Sequence, residues 1–304
     1  MGRSQGHPGW TVAFVLVTLA SLTASYWSNA WLGGVPGDRV SLAPEAGPTS
    51  EPHTAATTDP ETGRDETAVT VPATAVATHL VVATEGAALT LARAADDAPP
   101  VTVATGGARL EGRVQEDAAL RLVATGEPGP WTVALRDREA WQVEVEAGAA
   151  QVRLELAEAE LRSLHVGAPL DGVRGSLPRS GRSEVRLGGG RSSLVLARDS
   201  AVDTRLVLGA GPALVQVDPG AHGRLELLPG AGPATLVVDA TITVALALPP
   251  GDTPPLALEG TWWRHVTDEG VIWVRAPEAA GPEHAELTLA LLGTSPAPLA
   301  VTYR

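Results

Sequence analysis

Cysteine is absent from the 304 residues. That excludes disulfides, thiolate metal sites, a cysteine nucleophile and a lipidated N-terminal cysteine, so packing alone must hold the fold. Lysine is absent too: the 22 basic residues are all arginine, a bias of genome composition rather than a functional signature. Aromatic residues make up 4%, with one Phe and one Met. A core must therefore be built from Val, Leu and Ala, which suit pleated, closely stacked strands better than a large irregular interior. Positive charge is in deficit as well. A net charge of −13 argues against nucleic-acid binding, because phosphate backbones select basic surfaces.

Signatures of chemistry are missing in the same way. The chain has no Gly-x-Ser-x-Gly, His-Glu-x-x-His, Walker or EF-hand loop, the motifs that would place a nucleophile, a metal or a phosphate. His7, His53, His79, His165, His222, His265 and His284 lie far apart, without metal-ligand spacing. Glu144 and Glu146 share a strand face, but a solvated face explains them better than paired-carboxylate glycoside chemistry. The expectation is a protein without enzymatic activity, cofactor or metal.

What the chain has in abundance is glycine and proline, 33 and 25 residues, the composition of many corners and few long helices. From His79 onward short alternating runs follow one another: Leu89-Thr90-Leu91, Val101-Thr102-Val103, Trp131 to Leu135, Gln142 to Glu146 and Gln151 to Leu156. Period-2 alternation bounded by Gly or Pro reads as strand. Residues 156–164 hold helix formers, yet the alternation around them argues for a strand corner. An Arg-Leu-x-Leu unit with a Gly-rich corner returns through the second half, and Leu187, Leu206 and Leu225 recur every 19 residues. Periods near 20 belong to stacked-repeat architectures, in which each unit buries its apolar face on the next. The corners share a tail: Gly209-Ala-Gly-Pro-Ala and Gly230-Ala-Gly-Pro-Ala, with a degenerate copy at Gly293.

Residues 1–32 form a separate unit of sequence. Thr11 to Ala24 are almost entirely apolar, with Trp10 before them and Tyr26, Trp27 and Trp31 after, the pattern of interfacial aromatic belts. A helix over 10–31 would be roughly 31 Å long, enough to span a bilayer. The segment reads as an uncleaved signal anchor. A cleaved signal peptide stays open, because Ser28-Asn29-Ala30 fits a small-x-small cleavage site, as does a buried soluble helix. Either leading reading sends the remainder out of the cytoplasm: a single-pass bacterial membrane protein, or a secreted one after cleavage near Ala30. Residues 33–78 interleave Pro36, Pro44, Pro48, Pro52, Pro60 and Pro72 with Thr, Ala and acidic residues. No apolar period appears there to offset ordering entropy, so the segment reads as a disordered spacer.

Residues 79–304 are thus expected to be all-β, a single-stack β-solenoid of short strands with glycine corners. The runs from Trp131, Trp141, Val152 and Leu161, with their Gly-Ala-Gly corners, resemble the toastrack-type, adhesin-like β-solenoid domains of bacterial envelope proteins. The C-terminal domain of cell-wall-antibiotic response proteins is one example. The resemblance covers half to two thirds of the chain. It implies a β-solenoid in the cell envelope, and it brings no catalytic residues.

Two clusters stand out as candidate binding sites. Arg174, Arg179, Arg182, Arg186 and Arg191 are opposed only by Glu184. They are either solvated loop residues or a contact for an anionic envelope polymer or lipid head groups. Trp262, Trp263 and Trp273 concentrate near the end of the chain. They either cap the open end of the stack or form an aromatic platform for a glycan or peptide. The functional expectation is an envelope interaction or structural module. The alternative is a glycan-binding or stress-sensing ectodomain acting through a membrane partner.

Overall fold

The computed structural model describes residues 56–58 and 65–70, and residues 79–304 other than 85, 106–108, 115–118, 126–128, 137–140, 149, 168, 250–254, 268–269, 276–284 and 294–296. The expected membrane segment at 10–31 and the cleavage site near Ala30 lie outside these residues, as does most of the spacer. Among the described residues no helix is long and apolar enough to cross a membrane.

Among the described residues every element is a strand. First come β1 (Ala56–Thr58), β2 (Asp65–Thr70), β3 (His79–Thr84), β4 (Leu89–Arg93), β5 (Val101–Thr105), β6 (Arg109–Val114), β7 (Ala119–Thr125) and β8 (Trp131–Leu135). Then follow β9 (Gln142–Ala147), β10 (Val152–Glu155), β11 (Glu160–Val166), β12 (Val173–Ser176), β13 (Ser180–Arg186) and β14 (Ser192–Leu196). Next are β15 (Ala201–Val207), β16 (Ala213–Val217), β17 (His222–Leu228) and β18 (Ala234–Val238). The chain ends with β19 (Val244–Leu248), β20 (Leu256–Leu258), β21 (Trp263–Thr267), β22 (Gly270–Arg275), β23 (Leu287–Leu291) and β24 (Leu299–Tyr303).

These strands form two 12-stranded sheets. Sheet 1 runs β1-β2-β5-β8-β4-β10-β12-β14-β16-β18-β24-β20, and sheet 2 runs β21-β22-β19-β23-β17-β15-β13-β11-β9-β3-β7-β6. From β9 to β18 the chain alternates between the sheets, one strand in each per coil, and each strand pairs in parallel with its counterpart one coil on. The arrangement is all-β and consistent with a solenoid. The strand alternation sets the core. Ala213, Val215 and Val217 of β16 are buried while Leu214 and Gln216 are half-exposed, and Leu206, Leu225 and Leu227 face inward from sheet 2. Each fully buried Leu or Val contributes about 1.5–3 kcal/mol, and the side chains are small enough for the coils to stack closely.

The repeat is 21 residues long over most of this stretch, not 19. Val185 pairs with Leu206 and Leu206 with Leu227; Leu194 pairs with Val215 and Val215 with Leu236. A step of 19 occurs once in each sheet, from Val166 to Val185 and from Arg174 to Ser193, next to a register irregularity between Glu160 and Ser163. The physical reason is that a slide of two residues leaves an alternating pattern unchanged inside and out. The corners break the tie. Gly188, Gly209 and Gly230 stack at 21-residue steps. A Cβ on Gly209 would overlap the carbonyl oxygens of Leu187 and Gly188, and one on Gly230 those of Leu208 and Gly209. Only hydrogen fits where the coils touch. On the opposite edge, Asp199 adopts φ 55° and Gly220, one coil on, φ 75°, a left-handed turn that Asp tolerates and Gly favours.

Strand direction reverses at both ends of the stack, in both sheets at the first end and in sheet 2 alone at the other, where sheet 1 finishes on the three-residue parallel strand β20. Coil β3–β4 lies between coils β7–β8 and β9–β10, and antiparallel β5 and β6 cover β8 and β7. At the other end coil β23–β24 inserts between β17–β18 and β19–β20, and antiparallel β22 and β21 cover β19. Antiparallel caps stop a parallel stack from offering a template for further pairing. Strands β1 and β2 fall within the stretch expected to be an unstructured spacer and extend sheet 1 by antiparallel pairing with β5. Thr67, Val69 and Thr70 of β2 are β-branched and suit a strand paired on both sides.

Candidate functional site

The outer face of sheet 2 is a checkerboard of charge. Across β13, β15 and β17, Arg182 stands beside Asp203 and Asp203 beside Arg224, while Glu184 stands beside Arg205 and Arg205 beside Glu226. The second row continues to His165 and Glu144. Charges alternate along the strands as well: Arg186 Nη2 lies 3.0 Å from Glu184 Oε1, and Arg224 Nε lies 3.0 Å from Glu226 Oε1. Opposite charges on adjacent strands contribute about 0.2–1 kcal/mol per pair, and like charges there would cost as much. This pattern neutralises itself. The two basic residues of the expected cluster that lie on it, Arg182 and Arg186, sit among carboxylates.

Sheet 1 presents a different outer face. Arg174 on β12 stands beside Arg153 on β10, whose Nε is 2.7 Å from Glu155 Oε1. Beyond β12 the charge stops. Strands β14, β16, β18, β24 and β20 contain no Asp, Glu, Lys, Arg or His. Their outward positions hold Ser193, Val195, Leu214, Gln216, Thr235, Val237, Ala300 and Thr302, all half-exposed. The corners beside them are Gly-Ala-Gly-Pro, with Arg191 as the one charge between β13 and β14.

The five arginines are all exposed, and the fold spreads them over both sheets and both edges. Arg182 and Arg186 lie on sheet 2, Arg174 on sheet 1, Arg191 on the glycine edge and Arg179 on the opposite edge, where its N–H donates to Ala159 O at 2.8 Å. Eighteen residues of sequence are almost one full coil, so the cluster wraps around the stack. Surface neighbours in this fold lie near i ± 21, not i ± 5. The charge-free face was present in the sequence, as uncharged strands recurring at 192, 213 and 234, but it is visible only once the coil length is known.

An open cleft of about 600 Å³ lies on sheet 1, lined among others by Arg93, Arg153, Glu155, Glu158, Ser176 and Val195. Its polar groups serve the fold. Arg153 is paired with Glu155, Arg93 Nη2 is 2.9 Å from Asp96, and Ser176 Oγ accepts from the backbone N–H of Leu156 and Ala157 at 3.2 and 3.1 Å. Among the described residues no group of three or more His, Asp or Glu is placed to hold a metal.

The tryptophans divide. Trp273 stands opposite the buried Leu246 on β19, and Trp262 and Tyr303 pack with it against the core. The Trp262 and Tyr303 rings are 6.1 Å apart and tilted by 51°, and Trp262 Nε1–H donates to Glu259 O at 3.0 Å. The Arg275 guanidinium lies over the Tyr303 ring, 3.2 Å from its centroid. Burial pushes the Tyr303 hydroxyl well above its ordinary pKa of 10.0, against the opposing pull of Arg275. Trp263 is 47% exposed and paired with Val274 on the other face of β22. Trp262 and Trp273 therefore close the core at the end of sheet 2, and Trp263 stands apart from them. Tyr303 and Arg275, which complete this closure, carried no signal in the sequence, because β24 reaches the end only by inserting one coil inward.

No family model matches the chain, and no curated protein matches it. A crystal structure described as a "putative cell adhesion protein" from Clostridium sporogenes ATCC 15579 is similar over 79% of this chain and 100% of that one, at 10% identity and a TM-score of 0.34. Likeness at that level carries no argument about activity, and the functional reading rests on the faces described above.

Proposed function

We propose that the chain is a non-enzymatic interaction or structural module of the bacterial cell envelope. In this reading it is a single-stack β-solenoid, anchored in the membrane through residues 10–31 and displayed outside the cytoplasm. The observation that supports it is the division of the surface. Charges of opposite sign alternate over β13, β15 and β17 of sheet 2, while sheet 1 offers an extended uncharged face from β14 to β20. Surfaces of that kind recognise other surfaces rather than bind and transform a small molecule, which takes a concave pocket with convergent polar groups.

Fractionation of cells expressing the full chain tests this. The protein is expected in the membrane fraction, resistant to carbonate washing and cleaved by protease added outside the cytoplasmic membrane. Deletion of residues 1–32 should release it from the membrane fraction. Recovery of the intact chain from the cytosol, protected from external protease, would overturn the reading.

A further inference from the structure

We infer that the charge-free face of sheet 1 is a docking surface for a second copy of this chain. The inference deepens the reading of an interaction module by naming the partner, and it rests on that reading. The face spans β14, β16, β18, β24 and β20, five neighbouring strands without Asp, Glu, Lys, Arg or His. In three of these coils sheet 2 carries Arg182, Glu184, Arg186, Asp203, Arg205 and Arg224 on its outer side, whereas β23 and β19 of the other two are uncharged as well. Over β13 to β18, where both sheets wrap the same core, one is solvated by charge in the ordinary way and the other is not.

The chemistry of the face narrows its occupant. Anionic polymers and lipid head groups select cationic surfaces, and none of these five strands is charged. Sugar rings stack on aromatic side chains, and no aromatic stands at an outward position there. What remains is small: Ser193, Val195, Leu214, Gln216, Thr235 and Val237, a flat mixture of methyls, hydroxyls and one amide. Such a face suits another flat, neutral β-face, and a two-fold contact supplies one automatically, since the same patch meets itself. Charge points the same way. Each copy carries a net −13, so two copies repel in general, and least where neither presents a charge. Four strands of five residues and one of three, at about 3.3 Å per residue and about 4.8 Å between strands, give about 360 Å² per copy. The total of about 730 Å² is below what a stable interface between free molecules buries. The contact is therefore weak between free molecules and is favoured when two copies are confined to one membrane, where effective concentration rises.

Because the chain has no cysteine, single-cysteine crosslinking of the full chain reports this contact cleanly. Purified protein is reconstituted in phosphatidylcholine vesicles and treated with a short bis-maleimide. Gln216→Cys, Thr235→Cys and Thr302→Cys should form crosslinked dimers, and Asp203→Cys and Arg224→Cys on sheet 2 should form at least about tenfold less. Adding Leu214→Arg to Thr235→Cys should lower the dimer yield at least about tenfold, because each arginine would be desolvated against its own copy. Circular dichroism of each variant identifies any that fail to fold, and the remaining sheet 1 positions then decide the outcome. Equal yields on the two faces, or no dimer from either, would overturn the inference. So would sheet 1 cysteines shielded from an aqueous maleimide without forming dimers, since something other than a second copy would cover them. Membrane retention of the same samples distinguishes failure of this partner from failure of the envelope reading.

Discussion

Replacing Gly230 by alanine adds one methyl group where the coils touch. That Cβ would overlap the carbonyl oxygens of Leu208 and Gly209. Both are backbone atoms, so no side-chain rotation relieves the clash, and the coils must part locally. The Gly209 carbonyl is also the acceptor for the Gly232 N–H at 3.0 Å, and Gly232 is buried. Leaving that buried N–H unpaired costs about 1–3 kcal/mol. The substitution should therefore destabilise the protein by about 1–3 kcal/mol, which lowers the urea midpoint by about 0.5–1 M for a slope of roughly 2–3 kcal/mol per M. Gly189 provides the control. It lies in the same type of corner, but nothing comes within 4 Å of its added Cβ, so Gly189→Ala should be neutral, or stabilising by up to about 1 kcal/mol through the unfolded chain. Urea titration of the full chain in mild detergent, followed by circular dichroism, measures both. A cost below about 0.5 kcal/mol for Gly230→Ala, or equal costs for the two alanines, would refute a stack held at glycine contact distance.

Other outcomes follow from the same geometry. Leu206→Ala, at a fully buried position between Val185 and Leu227, should cost about 2–5 kcal/mol, while Leu170→Ala, 63% exposed, should stay within about 0.5 kcal/mol in the same titration. Arg205→Glu places three glutamates in a row with Glu184 and Glu226 and should cost about 1–2 kcal/mol at low salt; added salt should recover part of that loss, and a salt-independent loss would contradict the ladder. In a Tyr26→Phe variant the one remaining phenol is Tyr303, and its absorbance at 295 nm should stay un-ionised well above pH 10.0, its ordinary value. Since the folded pKa is raised, the stability it contributes is complete below the unfolded value and falls as pH climbs beyond it; an ordinary titration midpoint would show the ring is not buried. Thr241 donates from its N–H and its hydroxyl to Asp239 and holds that carboxyl below its usual range. Thr241→Ala should raise the Asp239 pKa in a carboxyl-detected NMR titration, and an unmoved value would remove that turn from the account.

The local half of this fold was legible in the sequence. Alternation in Trp131 to Leu135 and in Gln142 to Glu146 identified β8 and β9 nearly to the residue, because a strand with one buried face must alternate. Residues 156–164 likewise resolved into a corner and β11, helix-forming side chains notwithstanding. The order of the coils was not legible. Coils β3–β4 and β23–β24 each insert one place inward of the ends, and since every coil presents the same inward Val and Leu, no local pattern distinguishes one neighbour from another. The 19-residue spacing of Leu187, Leu206 and Leu225 failed for a related reason. All three are buried, yet they are not register partners, and the glycine corners at 188, 209 and 230 carried the true step. The arginine cluster was a fact of sequence that a coil of about the same length wrapped around the molecule. Trp262 and Trp273 pack against the core while Trp263 is exposed, a division that spacing in the sequence does not show.

The 21-residue parallel register is the claim on which the stack, the charge ladder and the neutral face all depend. Paired cysteines on sheet 2 test it in a chain that has none of its own. Glu184 and Arg205 are direct partners, with Cβ atoms about 4.5–5.5 Å apart as in other facing pairs, whereas Glu184 and Asp203, on the same strands and face, are diagonal at about 7–8 Å. Under mild oxidation, Glu184→Cys with Arg205→Cys should form an intrachain disulfide in high yield, located by peptide mass spectrometry, and Glu184→Cys with Asp203→Cys should form little. The opposite preference, a bond between positions 184 and 203 in place of 184 and 205, would show that the coils advance by 19 residues and would contradict the account.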